Sequence, residues 1–280
     1  LKFGGLVTVG GMAQVMIIQF PQLAIGMFLP ISYLTYYTIP YNLSKKLWIF
    51  PQSITPVLFP AMSELNSIHE NKKRNELFLR GIKYIASIII PLALIVIFFA
   101  KDILLFWIGK DFAQNSTIIL QLIAFSLSVC AISTPSVRAV QAAGRPDLTA
   151  KFSVTQAIVD ILLCLLLIPK IGINGAGVAF FIVHVFPPAI LVYLTTTKIL
   201  KIKIRVLFEQ SLKKPFGVGL LVSLIAFSLK PLVNNLISLI ILLSISILVT
   251  FVLVYTFILD RDEKAMIKQY LRLHFITYKH

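Results

Sequence analysis

Charge is scarce in this chain, and acidic charge most of all. Its 280 residues hold 11 Asp and Glu against 26 Lys and Arg, and charged residues make up only 13% of the sequence. Soluble domains carry about 25%. From Phe3 to Ser44 there is no charged residue. Cysteine is equally sparse. Cys130 and Cys164 stand alone, with no Cys or His at ligand spacing, which excludes a zinc-binding module and a disulfide framework. Both fall in apolar stretches and read as small packing residues. The four histidines, His69, His184, His274 and His280, form no cluster. There is no P-loop, no nucleophile-elbow motif and no helix bearing a set of metal ligands. No loop exceeds about twenty residues, too short for a soluble catalytic domain. The expectation is a protein that performs no chemistry and holds no cofactor and no metal.

What is present is hydrophobic sequence, 58% of the chain, with a mean hydropathy of +0.91. It comes in stretches near the roughly 20 residues that a membrane helix requires. The pattern predicts an all-α, polytopic bundle of about eight transmembrane helices, at 3–22, 34–62, 81–100, 115–142, 150–169, 174–194, 214–229 and 236–259. The runs are too long and continuous for barrel strands. Pro169 is expected to end the fifth helix. Gly172 and Gly175 then allow a tight turn, and Gly175, Ala176, Gly177 and Ala179 give the sixth helix a small-residue face.

Assigning the loops alternately to two sides separates the basic residues sharply. Twenty of the 26 fall on one side, in Lys2, the 63–83 loop, the 138–151 turn, the 195–214 loop and the tail after Asp260. Four fall on the other: Lys101, Lys110, Lys170 and Lys230. Lys45 and Lys46 lie inside the second helix. The positive-inside rule then places both termini in the cytoplasm of a multi-pass membrane protein. The basic excess is thereby an orientation signal, and no nucleic-acid partner is expected. The basic, partly apolar tail 260–280 (Met266, Ile267, Tyr270, Leu271, Phe275) reads either as an interfacial helix on anionic lipid or as a solvated segment. The chain begins at Leu1 rather than Met. It reads as the C-terminal part of a longer protein or as a literally translated start codon.

Polar groups inside membrane spans are costly and mark cavities or partners. Tyr37, Tyr41, Lys45, Trp48 and Gln52 follow at steps of four, four, three and four, which puts them on one side of an uninterrupted helix. Such a face suits sugars through its hydroxyl, amide and aromatic groups, and phosphate through Lys45. It also suits plain helix packing. Lys46 points the other way. On the fourth helix Ser126, Cys130, Thr134 and Arg138 recur every four residues, with Gln141 alongside. Arg138 fits either a guide for an anionic head group or an interfacial anchor. Asp160 sits mid-span in the fifth helix near Ser153, Gln156 and Cys164. It reads as a group for ion coupling, as a partner of Lys45 or Lys46, or as a packing acid. His184 reads as a hydrogen-bonded packing residue.

Two stretches carry a family resemblance: YYTIPYNLSKKLWIFPQSITPVLFPAMSEL at 36–65 and AGRPDLTAKFSVTQAIVDILLCLLLIPKIGINGAGVA at 143–179. The Leu58-Phe59-Pro60 segment before a basic loop, the Ala143-Gly144-Arg145-Pro146 turn and the Leu167–Gly177 run resemble the Wzx-type polysaccharide, or O-antigen, flippases of the MATE-like superfamily. The resemblance implies two six-helix lobes, of which residues 1–198 match the C-terminal one. A linker and terminal helix pair follow at 199–259, and a basic tail at 260–280. It implies a missing N-terminal lobe, a location in the cytoplasmic (inner) membrane, and a role in polysaccharide or lipopolysaccharide biosynthesis. The implied substrate is an undecaprenyl-pyrophosphate-linked oligosaccharide, carried by alternating access through a cationic cavity, with membrane lipid and a polysaccharide polymerase or other assembly proteins as partners. Tyr37, Tyr41, Lys45, Trp48, Gln52 and Arg138 are the candidate cavity residues. Asp160, where relatives often have Asn, and Lys46 are candidates for coupling or an ion pair. A multidrug or other lipid exporter of the same superfamily, a membrane-embedded glycosyltransferase or polymerase, and a scaffold of an assembly complex are the alternatives. The outer 101–114 loop offers an enzyme only Asp102 and Asp111.

Overall fold

The computed structural model describes residues 2–265 and is helical almost throughout. The residues named above for an interfacial tail, from Met266 on, lie outside the described part, as do His274 and His280. Helix α1 spans Lys2–Phe28 and α2 Tyr33–Lys45, followed by a 3₁₀ turn at Lys46–Trp48 and α3 at Ile49–Ser67. Then come α4 (Asn71–Phe98), α5 (Ala100–Trp107), α6 (Lys110–Ala142), α7 (Pro146–Ile171) and α8 (Ile173–Leu194). A connector with a four-residue helix α9 (Ile204–Leu207) leads to α10 (Lys213–Ser228) and α11 (Leu236–Leu253).

Among the described residues, seven helices are long and apolar enough to cross a membrane. The eighth expected crossing, 34–62, is carried by α2 and α3, which the 3₁₀ turn divides. Its cause is local. Pro51 has no N–H to give the Leu47 carbonyl, and its ring crowds that carbonyl, so the preceding turn tightens. Two boundaries also differ from the sequence reading. Helix α7 runs through Pro169 to Ile171, because a proline in the last turn forfeits a single hydrogen bond. Gly172, at φ +63°, makes the stop. The 101–114 segment is mostly helical rather than loop, since Ala100, Leu104, Phe112 and Ala113 bury one face together against the bundle.

Helix α6 is the hub: it packs against α2, α3, α4, α5, α7 and α8. On one side α8 and α7 carry α1; on the other α4 carries α10, and α11 packs on α10. The largest apolar cluster joins Ile119, Ile123 and Leu127 of α6 to Tyr37 and Tyr41 of α2, Cys164 and Ile168 of α7, and Ala176, Ala179 and Phe180 of α8. Outward, the helices present bare apolar residues. In α11 Ile237, Ile240, Ile241, Leu248 and Val252 are all more than half exposed, as a lipid-facing surface requires. Side-chain ties sort the loops into two ends. Asn66 reaches the Ala142 carbonyl, Asn75 the Leu200 carbonyl, and Lys83 reaches Asp260. At the other end Tyr36 donates to Asp111 and Lys230 pairs with Asp102. This is the alternation that the basic residues follow.

The α7–α8 corner is the tightest crossing. A Cβ on Gly175 would lie 2.5 Å from the Leu167 carbonyl carbon and oxygen, which are backbone and cannot yield. One on Gly177 would meet Leu122 Cδ1 at 3.4 Å and Ile119 Cα and Cγ1 at 3.7 Å, all ordinary contacts. Gly175→Ala is therefore expected to lower stability by about 1–3 kcal/mol, seen as a lower thermal midpoint in detergent. Gly177→Ala should stay close to the parent, and equal midpoints for the two variants would contradict the packing.

Candidate functional site

Between α1, α6, α7, α8 and the 3₁₀ turn lies a cavity of about 410 Å³. Helix α6 contributes Cys130, Ser133, Thr134, Arg138 and Gln141, all on or beside one stripe. Arg138 is its one cation, and no carboxylate lines it among the described residues. The guanidinium is oriented by Gln141, whose Oε1 accepts from Nη1 at 3.1 Å. Guanidinium carries five donors, so this bond leaves most of them for another partner. From α7 come Thr149, Ser153 and Gln156; Gln156 donates to the Val183 carbonyl at 2.9 Å. Across the cavity Gln14 of α1 donates to Ser153 Oγ at 3.3 Å. Nearby, Gly10 of α1 packs on α7, its Cβ position facing the Ala150 Cα at 3.6 Å. On α8, His184 stacks on Phe180 with ring centroids 3.7 Å apart, and its Nδ1 lies 3.0 Å from the Phe180 carbonyl. A carbonyl only accepts, so Nδ1 carries the hydrogen.

Of the residues expected to line a cavity from α2 and α3, the structure brings Trp48 to this one, together with Arg138. Tyr37 and Tyr41 are buried in the main apolar cluster. Lys45, Lys46 and Gln52 are exposed. The stepwise spacing assumed one continuous helix. The 3₁₀ turn advances 120° rather than 100° per residue, so three residues rotate everything beyond it by roughly 60°. Asp160 is fully buried and forms no ion pair with Lys45 or Lys46. Its nearest polar contact is Cys164 Sγ at 4.0 Å, and its Oδ2 and the Tyr37 hydroxyl are both without a hydrogen-bond partner. Gln14, Ser133 and Thr149 were not singled out in the sequence. For Gln14 a signal existed: it is an amide in a charge-free span, four residues after Gly10.

In sequence and in fold the chain is similar to known proteins. A family model described as "Polysaccharide biosynthesis protein" matches residues 1–117. Over 194 residues the chain is 23% identical to the "Putative O-antigen transporter" of Shigella flexneri, covering 69% of this chain and 46% of that protein. Over 155 residues it is 24% identical to the "Probable low-salt glycan biosynthesis flippase Agl15" of Haloferax volcanii, covering 55% of this chain and 33% of that protein. The fold superposes on a solved structure of the "Lipid II flippase MurJ, inward closed conformation" with a TM-score of 0.66 and 18% identity, over 90% of this chain and 52% of that one. The chain is thus a multi-pass membrane helical bundle with a MurJ-like fold, similar in sequence to an O-antigen transporter and a glycan flippase. The chain spans about half the length, or less, of the curated relatives it matches.

The two thiols supply a probe of the cavity. Cys130 lines it and is partly exposed, whereas Cys164 is fully buried in the apolar cluster. A small methanethiosulfonate reagent should modify Cys130 at least ten times faster than Cys164, read by mass spectrometry of the two peptides. Faster modification of Cys164 would contradict the assignment of the cavity.

Proposed function

We propose that this chain forms one lobe of a flippase that carries a lipid-linked oligosaccharide across the cytoplasmic membrane for surface polysaccharide assembly. The observation that carries the reading is the cavity's chemistry. One guanidinium is set among seven neutral hydroxyl and amide side chains and one indole, with no carboxylate among the described lining residues. Arg138 would take the phosphate oxygens of an undecaprenyl pyrophosphate head group, for which a planar fork of donors is suited. Gln14, Gln141 and Gln156 would pair with sugar hydroxyls, and Trp48 would pack on a sugar face. The end of the bundle that holds most of the basic loops would face the cytoplasm, together with both termini, so that the anionic substrate enters from the basic side.

Alternating access requires the cavity to open to each side in turn, and residues outside it in this structure then have a place on the path. Lys45 and Gln52, exposed beside Trp48, are proposed to meet substrate in the opposite state. Asp160, buried with one oxygen unpartnered, is proposed to respond to the transport cycle rather than to hold a fixed pair with Lys46. The loops offer no room for a transferase or polymerase site, and no feature of the cavity favours a drug over a glycolipid.

The test is translocation of a fluorescent lipid-linked oligosaccharide by the whole protein in proteoliposomes. Losing charge-assisted hydrogen bonds costs about 1.5–3 kcal/mol, so Arg138→Ala should slow translocation roughly 10- to 100-fold. Arg138→Lys, which keeps the charge but not the fork, should retain part of the rate. A rate unchanged in Arg138→Ala, in a variant that still folds, overturns the reading.

A further inference from the structure

Helices α10 and α11 lie outside the cavity, and none of their residues lines it. Within the apolar zone they dock on α4. Val218, Val222 and Ala226 of α10 and Leu239 and Leu242 of α11 share a cluster with Ile95 and Phe99, and Gly219 brings the α10 backbone against Ile90, Leu94 and Pro91. Greasy contact of this kind has little preference for protein over lipid. What distinguishes this docking is found at its two ends.

At the basic end, Lys83 of α4 is 7% exposed, an unusual position for a lysine. Its Nζ lies 2.9 Å from Asp260 Oδ2 and 3.0 Å from Glu263 Oε2, both just beyond α11. Glu263, 8% exposed, also accepts from the Tyr84 hydroxyl and from the Asp260 backbone N–H at 2.8 Å. Burial pushes the Glu263 carboxyl up, but the bonds from Tyr84, Asp260 and Lys83 outweigh it and hold the group below the usual carboxylate range. Asp260 is likewise held low, first by its bond with Lys83. Lys214 of α10 and Arg80 of α4 add positive potential beside Asp260. At the opposite end, Lys230, in the α10–α11 turn, pairs with Asp102 of α5 at 2.8 Å and sits 5.8 Å from the ring centroid of the fully buried Phe99. Lys83 and Phe99 are sixteen residues apart in sequence, roughly 24 Å of helix. That is close to the thickness of the hydrocarbon layer.

We infer that α10 and α11 are clamped to α4 and α5 by two ion-pair latches, one at each face of the membrane, and travel with them as a single body. A single latch would leave the pair free to pivot about it. Two latches on opposite faces remove the pivot, and neither can exchange with lipid tails as an apolar contact can. The pair is thereby a fixed strut on the lobe and not a lid that swings over the cavity. Removing one partner costs more at the inner latch, because Lys83 and Glu263 are both withdrawn from water and removal of either strands the other.

Amide hydrogen exchange and tryptic cleavage in the whole protein test this without reference to transport. Arg261 lies between the two latch acids and Lys264 directly follows Glu263, and both are built-in tryptic sites. Lys83→Ala should raise cleavage at Arg261 and exchange over residues 258–263 at least ten-fold. The swap Lys83→Glu with Glu263→Lys should restore much of the protection. Lys230→Ala should raise exchange over 228–236 alone, and the two alanine variants combined should expose 213–228. Unchanged protection in Lys83→Ala, or equal loss in the charge swap, would overturn the latch. So would protection of 213–228 that survives removal of both pairs. If Lys83→Ala does not fold, the charge swap and Lys230→Ala still decide the question.

Discussion

A charge in hydrocarbon costs several kcal/mol unless something nearby pairs with it or water reaches it, and the rest of this structure follows from that cost. It sends the basic residues to the helix ends, where they divide unevenly between the two ends of the bundle. It obliges Lys83 to find two carboxylates before it can be buried. It also makes Arg138 informative. That residue lies on the most heavily packed helix of the bundle and is neither paired with an acid nor buried, because it lines a cavity. A helix that touches six others has little freedom to place an arginine by accident of packing. Its place on the cavity wall is the ground on which a role for Arg138 is proposed.

The elements most legible in the sequence are those this cost dictates. Charge-free runs marked the helices, and the basic residues marked which loops share an end, as the ties from Asn75 to Leu200 and from Lys230 to Asp102 bear out. The Cys130, Thr134 and Arg138 stripe was readable because α6 is one continuous helix through that stretch, so a four-residue step keeps its face. The Tyr37 to Gln52 stripe was less so: Gln52 lies beyond a turn that winds at a different pitch, and Lys45, before that turn, is exposed at the end of α2 whose Tyr37 and Tyr41 are buried. The proline responsible, Pro51, was visible in the sequence, but its effect falls on the carbonyl four residues earlier. Gln14 was hidden for another reason. Its partner Ser153 is 139 residues away, and no spacing within one helix can report a contact between two.

Glycine sets how closely the cavity walls approach. Gly10 lets α1 lie against Ala150 of α7, and Gly175 and Gly177 let α8 lie against α7 and α6. At Gly175 even a methyl group would push α8 off α7, whereas Gly10 and Gly177 sit at ordinary contact distance. In a soluble protein the hydrophobic effect would oppose such loosening. In a bilayer it does not, because lipid tails fill a gap as readily as leucine does. Close backbone packing then has to come from small residues and directed bonds, which is why the walls combine glycine with hydroxyl and amide pairs.

The same reasoning separates two kinds of buried acid. Glu263 is surrounded by three donors and held as a carboxylate at the edge of the membrane, where its work is structural. Asp160 has no such company. It lies in the apolar cluster with a thiol at the limit of contact and a tyrosine hydroxyl as unpartnered as itself. A packing acid is expected to resemble Glu263, since evolution of a purely structural contact would fill its acceptor sites or replace it with an apolar residue of similar volume. A buried carboxylate left short of donors is tolerable where the group changes its surroundings during function. The contrast between the two acids, on one scaffold and under one solvent constraint, is the physical ground on which Asp160 is proposed for the working cycle and Glu263 for the frame.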